Sequence, residues 1–169
     1  MKSANKVVLI TCVLHMSMGI SFGQNIDSVK TLISEISEVY GVDSLFALSV
    51  AREESNYDRF AVNKVSGCAG LFQLNPRFFK LDDYFDVQQS ADWGVSYLLY
   101  LVNLFEGDTL QALTGYAYGP YHSRTKKFKT SPYAQRVYNR FLTWADARGV
   151  RSQPVIPVEI PLEKWKQIE

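Results

Sequence analysis

The chain has 169 residues, 47% of them apolar and 14% aromatic, which is enough for one compact domain with a substantial core. Its formal charge is only +1, and two of its lysines fall in the first six residues, so the rest is close to balance and argues against a polyanionic partner. The densest basic run, Arg124-Thr125-Lys126-Lys127-Phe128-Lys129, reads as a solvated loop and not as a nucleic-acid patch.

Residues 1–23 have the build of an export signal. Lys2 and Lys6 form a positive start, Val7 to Met18 is mostly apolar, and Ser21 and Gly23 give a small-x-small cleavage pattern. Cleavage after Gly23 is expected, which sends the protein to the periplasm; a retained anchor is the main rival, although the apolar run is short and interrupted for a membrane span. Leu9-Ile10-Thr11-Cys12 is only a faint lipoprotein box. Without the leader Cys68 is the one remaining cysteine, so no internal disulfide can form; Ala, Gly and Leu around it predict burial.

Residues 24–150 read as one mainly helical domain. Ile26, Val29, Ile33, Ile36 and Tyr40 recur at helical spacing up to Gly41. Asp43 is the expected cap of a helix from Ser44 to Asn56. Tyr57 to Val87 is loop-rich, with a short helical turn expected at Arg77 to Lys80. Ser90 is read as the cap of a long helix through Phe105, closed by Gly107. Asp108 caps a shorter helix to about Tyr118, stopped by Gly119-Pro120, and Ser131-Pro132 starts a last one that runs to Gly149. In 151–169 the prolines Pro154, Pro157 and Pro161 forbid a helix across their span, so this tail is expected to be extended on the domain surface or to serve as a linker.

Glu53 and Glu54 lie in the last turn of the Ser44 helix. At about 100° per residue, Glu54 falls among Ala47, Val50 and Ala51, whereas Glu53 falls nearer Ser49 and Phe46. Both could be ordinary surface residues. The helix is nearly apolar all round, however, and a carboxyl in apolar surroundings keeps its proton to a higher pH than one in water. Such a group is a general acid at neutral pH, able to protonate a departing oxygen. Asp58 is the nearest second acid and reads as a turn residue, while Asp82, Asp83 and Asp86 read as a solvated cluster. His122 and Cys68 are too few to build a zinc site, and neither a phosphate-cradling loop nor a Ser/His/Asp arrangement is present, so no cofactor is expected.

Four blocks carry a resemblance. Ala51-Arg52-Glu53-Glu54-Ser55-Asn56-Tyr57 resembles the start of the catalytic domain of soluble lytic transglycosylases, whose usual form is a helix ending in Gln-Glu-Ser and an aromatic. Ala69-Gly70-Leu71-Phe72-Gln73-Leu74-Asn75-Pro76 resembles that family's Gly-Leu-Met-Gln block with its following proline. Gly115-Tyr116-Ala117-Tyr118-Gly119-Pro120 is similar to its Ala-Tyr-Asn-Ala-Gly-Pro, and Pro132-Tyr133-Ala134-Gln135-Arg136-Val137 to its Tyr-Val-x-x-Val. In the family's order they cover about Val42 to Tyr138.

The resemblance implies a lysozyme-like, mainly α domain with a loop-rich active-site segment, acting on the glycan strands of peptidoglycan. It implies non-hydrolytic cleavage after N-acetylmuramic acid, leaving a 1,6-anhydro ring. By the same carry-over Glu54 is the single acid and base, and Ser55 helps to orient it. Phe72 stands at the methionine that walls the sugar groove, and Gln73 hydrogen-bonds an N-acetylated sugar. Tyr116 and Tyr133 line the cleft, and Tyr116 reads equally well as core. Tyr118 and Tyr121 add aromatic surface, Ala117 replaces an asparagine, and Lys129 stands where many members carry an acid. Small members of the family serve envelope-spanning machines such as those of secretion or conjugation. A hydrolytic muramidase and a non-catalytic peptidoglycan-binding protein are the alternatives.

Overall fold

The computed structural model describes residues 25–124 and 130–149. Residues 1–23, read above as an export signal, the tail 151–169 and Lys129 lie outside the described residues. Six helices follow one another: α1 (Ile26–Tyr40), α2 (Ser44–Ser55), α3 (Val87–Leu104), α4 (Thr109–Tyr118), α5 (Pro120–Arg124) and α6 (Pro132–Ala147). No sheet forms among the described residues; two isolated antiparallel bridges, Val62 with Ala69 and Ala69 with Leu74, are the only extended pairing there. None of these helices is long and apolar enough to cross a membrane.

Side-chain caps set most helix starts, because the first N–H groups of a helix have no partner within it. Asp43 accepts from the Leu45 amide at 2.7 Å, Asp108 from Gln111 at 2.9 Å, and Ser131 from Ala134 at 3.1 Å. The cap of α3 is Asp86, which accepts from the Gln89 amide at 2.8 Å, and not Ser90. Ser90 lies inside the helix and is 1% exposed; its hydroxyl accepts from the Phe72 amide at 3.4 Å, tying α3 to the loop before it. The segment expected as a helical turn at Arg77 is a single turn, with the Phe78 and Phe79 amides both bonded to the Asn75 carbonyl. Gly119 does stop α4, but Pro120 then starts α5, which carries His122. At the far end α6 stops at Ala147, short of the expected Gly149.

α2 is the central element. Its seven consecutive residues Leu45 to Ala51 are all buried, as befits a helix apolar on every side. α1 packs on one flank of it and α6 on another, while α3 packs on α1 and α4, and α4 on α6. Phe46 of α2 meets Phe141 of α6 edge-to-face, with centroids 5.6 Å apart, and both are fully buried. Each such ring contributes about 2 kcal/mol by its burial. The loop between α2 and α3 is anchored from within by Leu71, Phe72 and Leu74, all buried. Gly94 on α3 makes room for one of them: a Cβ there would lie 2.2 Å from Cγ of Phe72.

Candidate active site

The last turn of α2 breaks off sharply. Asn56 and Tyr57 both take left-handed conformations (φ 55° and 65°), which cost non-glycine residues energy and concentrate at functional sites. Tyr57 is held there by burial and by donating from its hydroxyl to the Leu48 carbonyl at 3.2 Å. This break leaves Glu53 and Glu54 at the end of a rigid, buried helix, facing different surroundings.

Glu53 sits between two arginines of α6. Arg136 Nε donates to its Oε1 at 2.8 Å and Arg140 Nη2 to its Oε2 at 2.7 Å, while Arg140 Nη1 also reaches the Ser49 carbonyl at 3.1 Å. Partial burial pushes the Glu53 carboxyl up, but the two guanidinium groups outweigh it and hold the pKa below its ordinary value. No cation among the described residues stands against Glu54. Burial pushes its pKa up from the ordinary 4.5 to about 7; the Tyr133 hydroxyl, which donates to Oε1, works against that rise, and the charge of Glu53 adds to it. One of two adjacent glutamates is thus a fixed anion and the other a carboxylic acid near neutrality.

Glu54 opens into a cleft of about 770 Å³. Gln73, Tyr116, Tyr118 and Tyr133 line it with Glu54, so five of the residues singled out from the sequence meet in one place. Tyr116 is half-buried, and its hydroxyl donates to the Phe72 carbonyl at 2.8 Å, which makes it both packing and wall. Gln73 takes a left-handed conformation (φ 48°) and donates from Nε2 to the Ala61 and Gly70 carbonyls, each at 3.0 Å. With its NH₂ used in the loop, Gln73 presents its carbonyl Oε1 as the group able to accept from a ligand N–H.

Two residues do not reach the cleft. The Phe72 side chain is 0% exposed and packs on Gly94, so it cannot wall a groove; the residue contributes its backbone carbonyl to Tyr116 instead. The Ser55 hydroxyl donates to the Leu71 carbonyl at 2.8 Å, with the Ala51 carbonyl 3.2 Å away, so it pins the end of α2 to the Gly70 loop and makes no bond to Glu54. It acts on Glu54 only by holding the two segments together. Cys68, expected to be buried, is partly exposed on the cleft wall.

The cleft also takes residues that the sequence did not single out. Phe78 and Phe79 come from the turn after Pro76, and Tyr97 comes from the middle of α3. Phe79 and Tyr97 meet edge-to-face at 5.0 Å, and Tyr97 leans on Tyr116 at 5.5 Å. Arg136 lies one turn after Tyr133 on α6, a spacing that shares a face and could have flagged it. Among the described residues that line the cleft, Glu54 is the one carboxyl. Asp58 is used in its own turn, accepting from the Phe60 amide at 2.9 Å, and Asp86 is a helix cap. No group of His, Cys, Asp and Glu among the described residues could hold a metal ion.

The bond from Tyr133 makes a prediction independent of any reaction. It favours the ionised carboxyl, so Tyr133→Phe should raise the titration midpoint of Glu54 above about 7. NMR of the labelled carboxyl carbon reads this directly; a midpoint that stays or falls would mean the hydroxyl does not engage the acid.

Solved structures that share this arrangement of helices include two lytic transglycosylases. One is an inactive mutant of the lytic transglycosylase Slt from Pseudomonas aeruginosa, with a TM-score of 0.62 and 18% identity over 75% of this chain and 25% of that one. The other is the 70 kDa soluble lytic transglycosylase SLT70 from Escherichia coli, with a TM-score of 0.63 and 18% identity over 79% of this chain and 26% of that one. At that identity the likeness is one of fold, and the chain spans about a quarter of either structure. The sequence model of the family described as Transglycosylase SLT domain matches residues 31–139, from within α1 into α6, and so takes in Glu54, the cleft loop, Tyr116, Tyr118 and Tyr133. That match extends over more than half of the sequence, and the chain belongs to the transglycosylase SLT domain family.

Proposed function

We propose that this protein is a lytic transglycosylase that cleaves the glycan strands of peptidoglycan between N-acetylmuramic acid and N-acetylglucosamine, with Glu54 as acid and then base. The observation that carries the reading is a lone, half-buried carboxylic acid with a pKa of about 7 in a cleft that has no second carboxyl among the described residues lining it. Most glycosidases set two carboxylates on either side of the bond, one to protonate the leaving oxygen and one to direct water or to form an ester. A single acid suits a reaction in which the substrate provides the nucleophile.

The neutral Glu54 gives its proton to the bridging oxygen as the bond to the anomeric carbon breaks. The acetamido group of the same sugar stabilises the positive charge left on that carbon. Glu54, now ionised and steadied by the Tyr133 hydroxyl, takes the proton of the sugar's 6-hydroxyl while that oxygen closes onto the anomeric carbon. The acid is regenerated and no water is consumed. Gln73 is assigned to an N-acetyl N–H through Oε1, and Tyr116, Tyr118 and Tyr133 to the walls around the sugars. Ser55 and Phe72 are assigned a supporting role, through the loop they fix. The export signal read in 1–23 suits a substrate outside the cytoplasm.

Mass spectrometry of the fragments released from purified peptidoglycan tests the chemistry. Anhydro ends, one water lighter than reducing ends, are expected. Reducing ends would make the protein a hydrolytic muramidase, and no fragments at all would leave a binding protein.

A further inference from the structure

Arg136 is held in an unusual way for a cleft-lining cation. Its Nε donates to Glu53 at 2.8 Å, and that carboxylate is itself fixed from the other side by Arg140. Nη1 and Nη2 of Arg136 have no hydrogen-bond partner among the described residues, and 59% of the side chain is exposed. Arg140 differs: both its terminal nitrogens are engaged, it is 26% exposed, and it does not line the cleft. A guanidinium whose Nε is already tied down presents its outer pair of nitrogens as a fixed fork. That fork matches the two oxygens of a carboxylate, and holding it in place in advance removes the ordering cost of binding. Arg124 lines the same cleft, and among the described residues no permanently charged carboxylate does.

From this arrangement we infer that the fork of Arg136 is a carboxylate-binding subsite that selects the anionic groups hung on the glycan strand, beside the bond that Glu54 cuts. The inference rests on the proposed substrate. N-Acetylmuramic acid bears a lactyl ether whose carboxyl is either free or extended by a stem peptide that carries carboxylates of its own, so both sources offer the same chemistry. A neutral polymer of N-acetylglucosamine offers none. Arg136 is therefore a specificity residue. It takes no part in proton transfer.

The test is calorimetric titration of the full chain, which needs no turnover. Three ligands are compared: a disaccharide–peptide fragment of peptidoglycan, the same fragment with its carboxyls converted to amides, and the disaccharide with a free lactyl carboxyl and no peptide. Amidation should weaken binding about tenfold or more in the parent and have little effect in Arg136→Gln, the scale expected for a hydrogen bond to a charged group. Arg140→Gln breaks the other half of the Glu53 pairing and should keep the parent's preference. If the peptide-free ligand binds like the intact fragment, the fork takes a free lactyl carboxyl as well as a stem carboxylate; if it binds like the amide, it takes the stem's alone. Equal binding of the charged and amidated fragments by the parent, or equal loss in the Arg136 and Arg140 variants, overturns the subsite. Turnover is followed separately on whole strands. Strands left uncut by a parent that still prefers the charged fragment would refute the catalytic reading alone.

Discussion

Glu54→Gln should lower turnover on peptidoglycan strands about a thousandfold or more, since one side chain serves as both acid and base and general acid–base catalysis alone contributes about 10²–10⁴. The amide is nearly isosteric and keeps an acceptor for the Tyr133 hydroxyl, so the fold should survive. The parent's rate should fall as pH rises through about 7, because the first step needs the protonated carboxyl. A stability signature accompanies this. The folded pKa is raised above the ordinary 4.5, so between about 4.5 and 7 the folded state holds a proton that the unfolded state has lost. The contribution is therefore complete below about 4.5 and is lost as pH climbs through about 7. Glu54→Gln has no proton to lose there, and at pH 8 it should be more stable than the parent, on the order of 3 kcal/mol. Denaturant titrations of both proteins at pH 5 and 8 measure the difference. Parallel curves, together with undiminished turnover, would remove Glu54 from its assigned role.

Gly70→Ala should be the most damaging small change to the cleft loop. Gly70 has φ 78°, and a Cβ there would stand 2.1 Å from the Tyr84 carbonyl oxygen and 3.1 Å from Ser90 Oγ. Backbone cannot yield as a flexible side chain does, so the loop must shift, at a cost of about 3 kcal/mol or more. The same shift moves the Gly70 carbonyl, which holds the Gln73 amide, and the loop that Ser55 pins to α2. Turnover should therefore fall together with the denaturation midpoint. Gly67→Ala is the control. It has a similar φ of 75° with nothing within 4 Å of the added carbon, so it should cost only the left-handed backbone, about 1 kcal/mol. Equal losses at the two positions would show that conformation, and not the contact with Tyr84, decides the effect.

Much of the scaffold was legible in local pattern. Asp43, Asp108 and Ser131 are short polar residues placed just before apolar-periodic runs, and each proved to be a cap. Ser90 misled because Asp86 and Ser90 are both good caps four residues apart, and the choice fell to the Phe72 amide that Ser90 serves instead. The short helix after Pro120 was missed because a glycine–proline pair stops one helix and starts another with equal ease.

The site divides along the same line. Helical periodicity alone set Glu54 among Ala47, Val50 and Ala51, because direction around a helix depends only on residue number. It could not say that Glu53 would be clamped as an anion, since Arg136 and Arg140 lie 83 and 87 residues away. Nor could it turn Phe72 inward, a matter settled by a missing side chain at Gly94 on another helix. Sequence by itself determined most of the helices and, along α2, which side chains share a face with Glu54. Only the packing of distant segments decided which carboxyl is paired and which stays buried and protonated, because pKa follows the charges and solvent brought around a group by the whole fold.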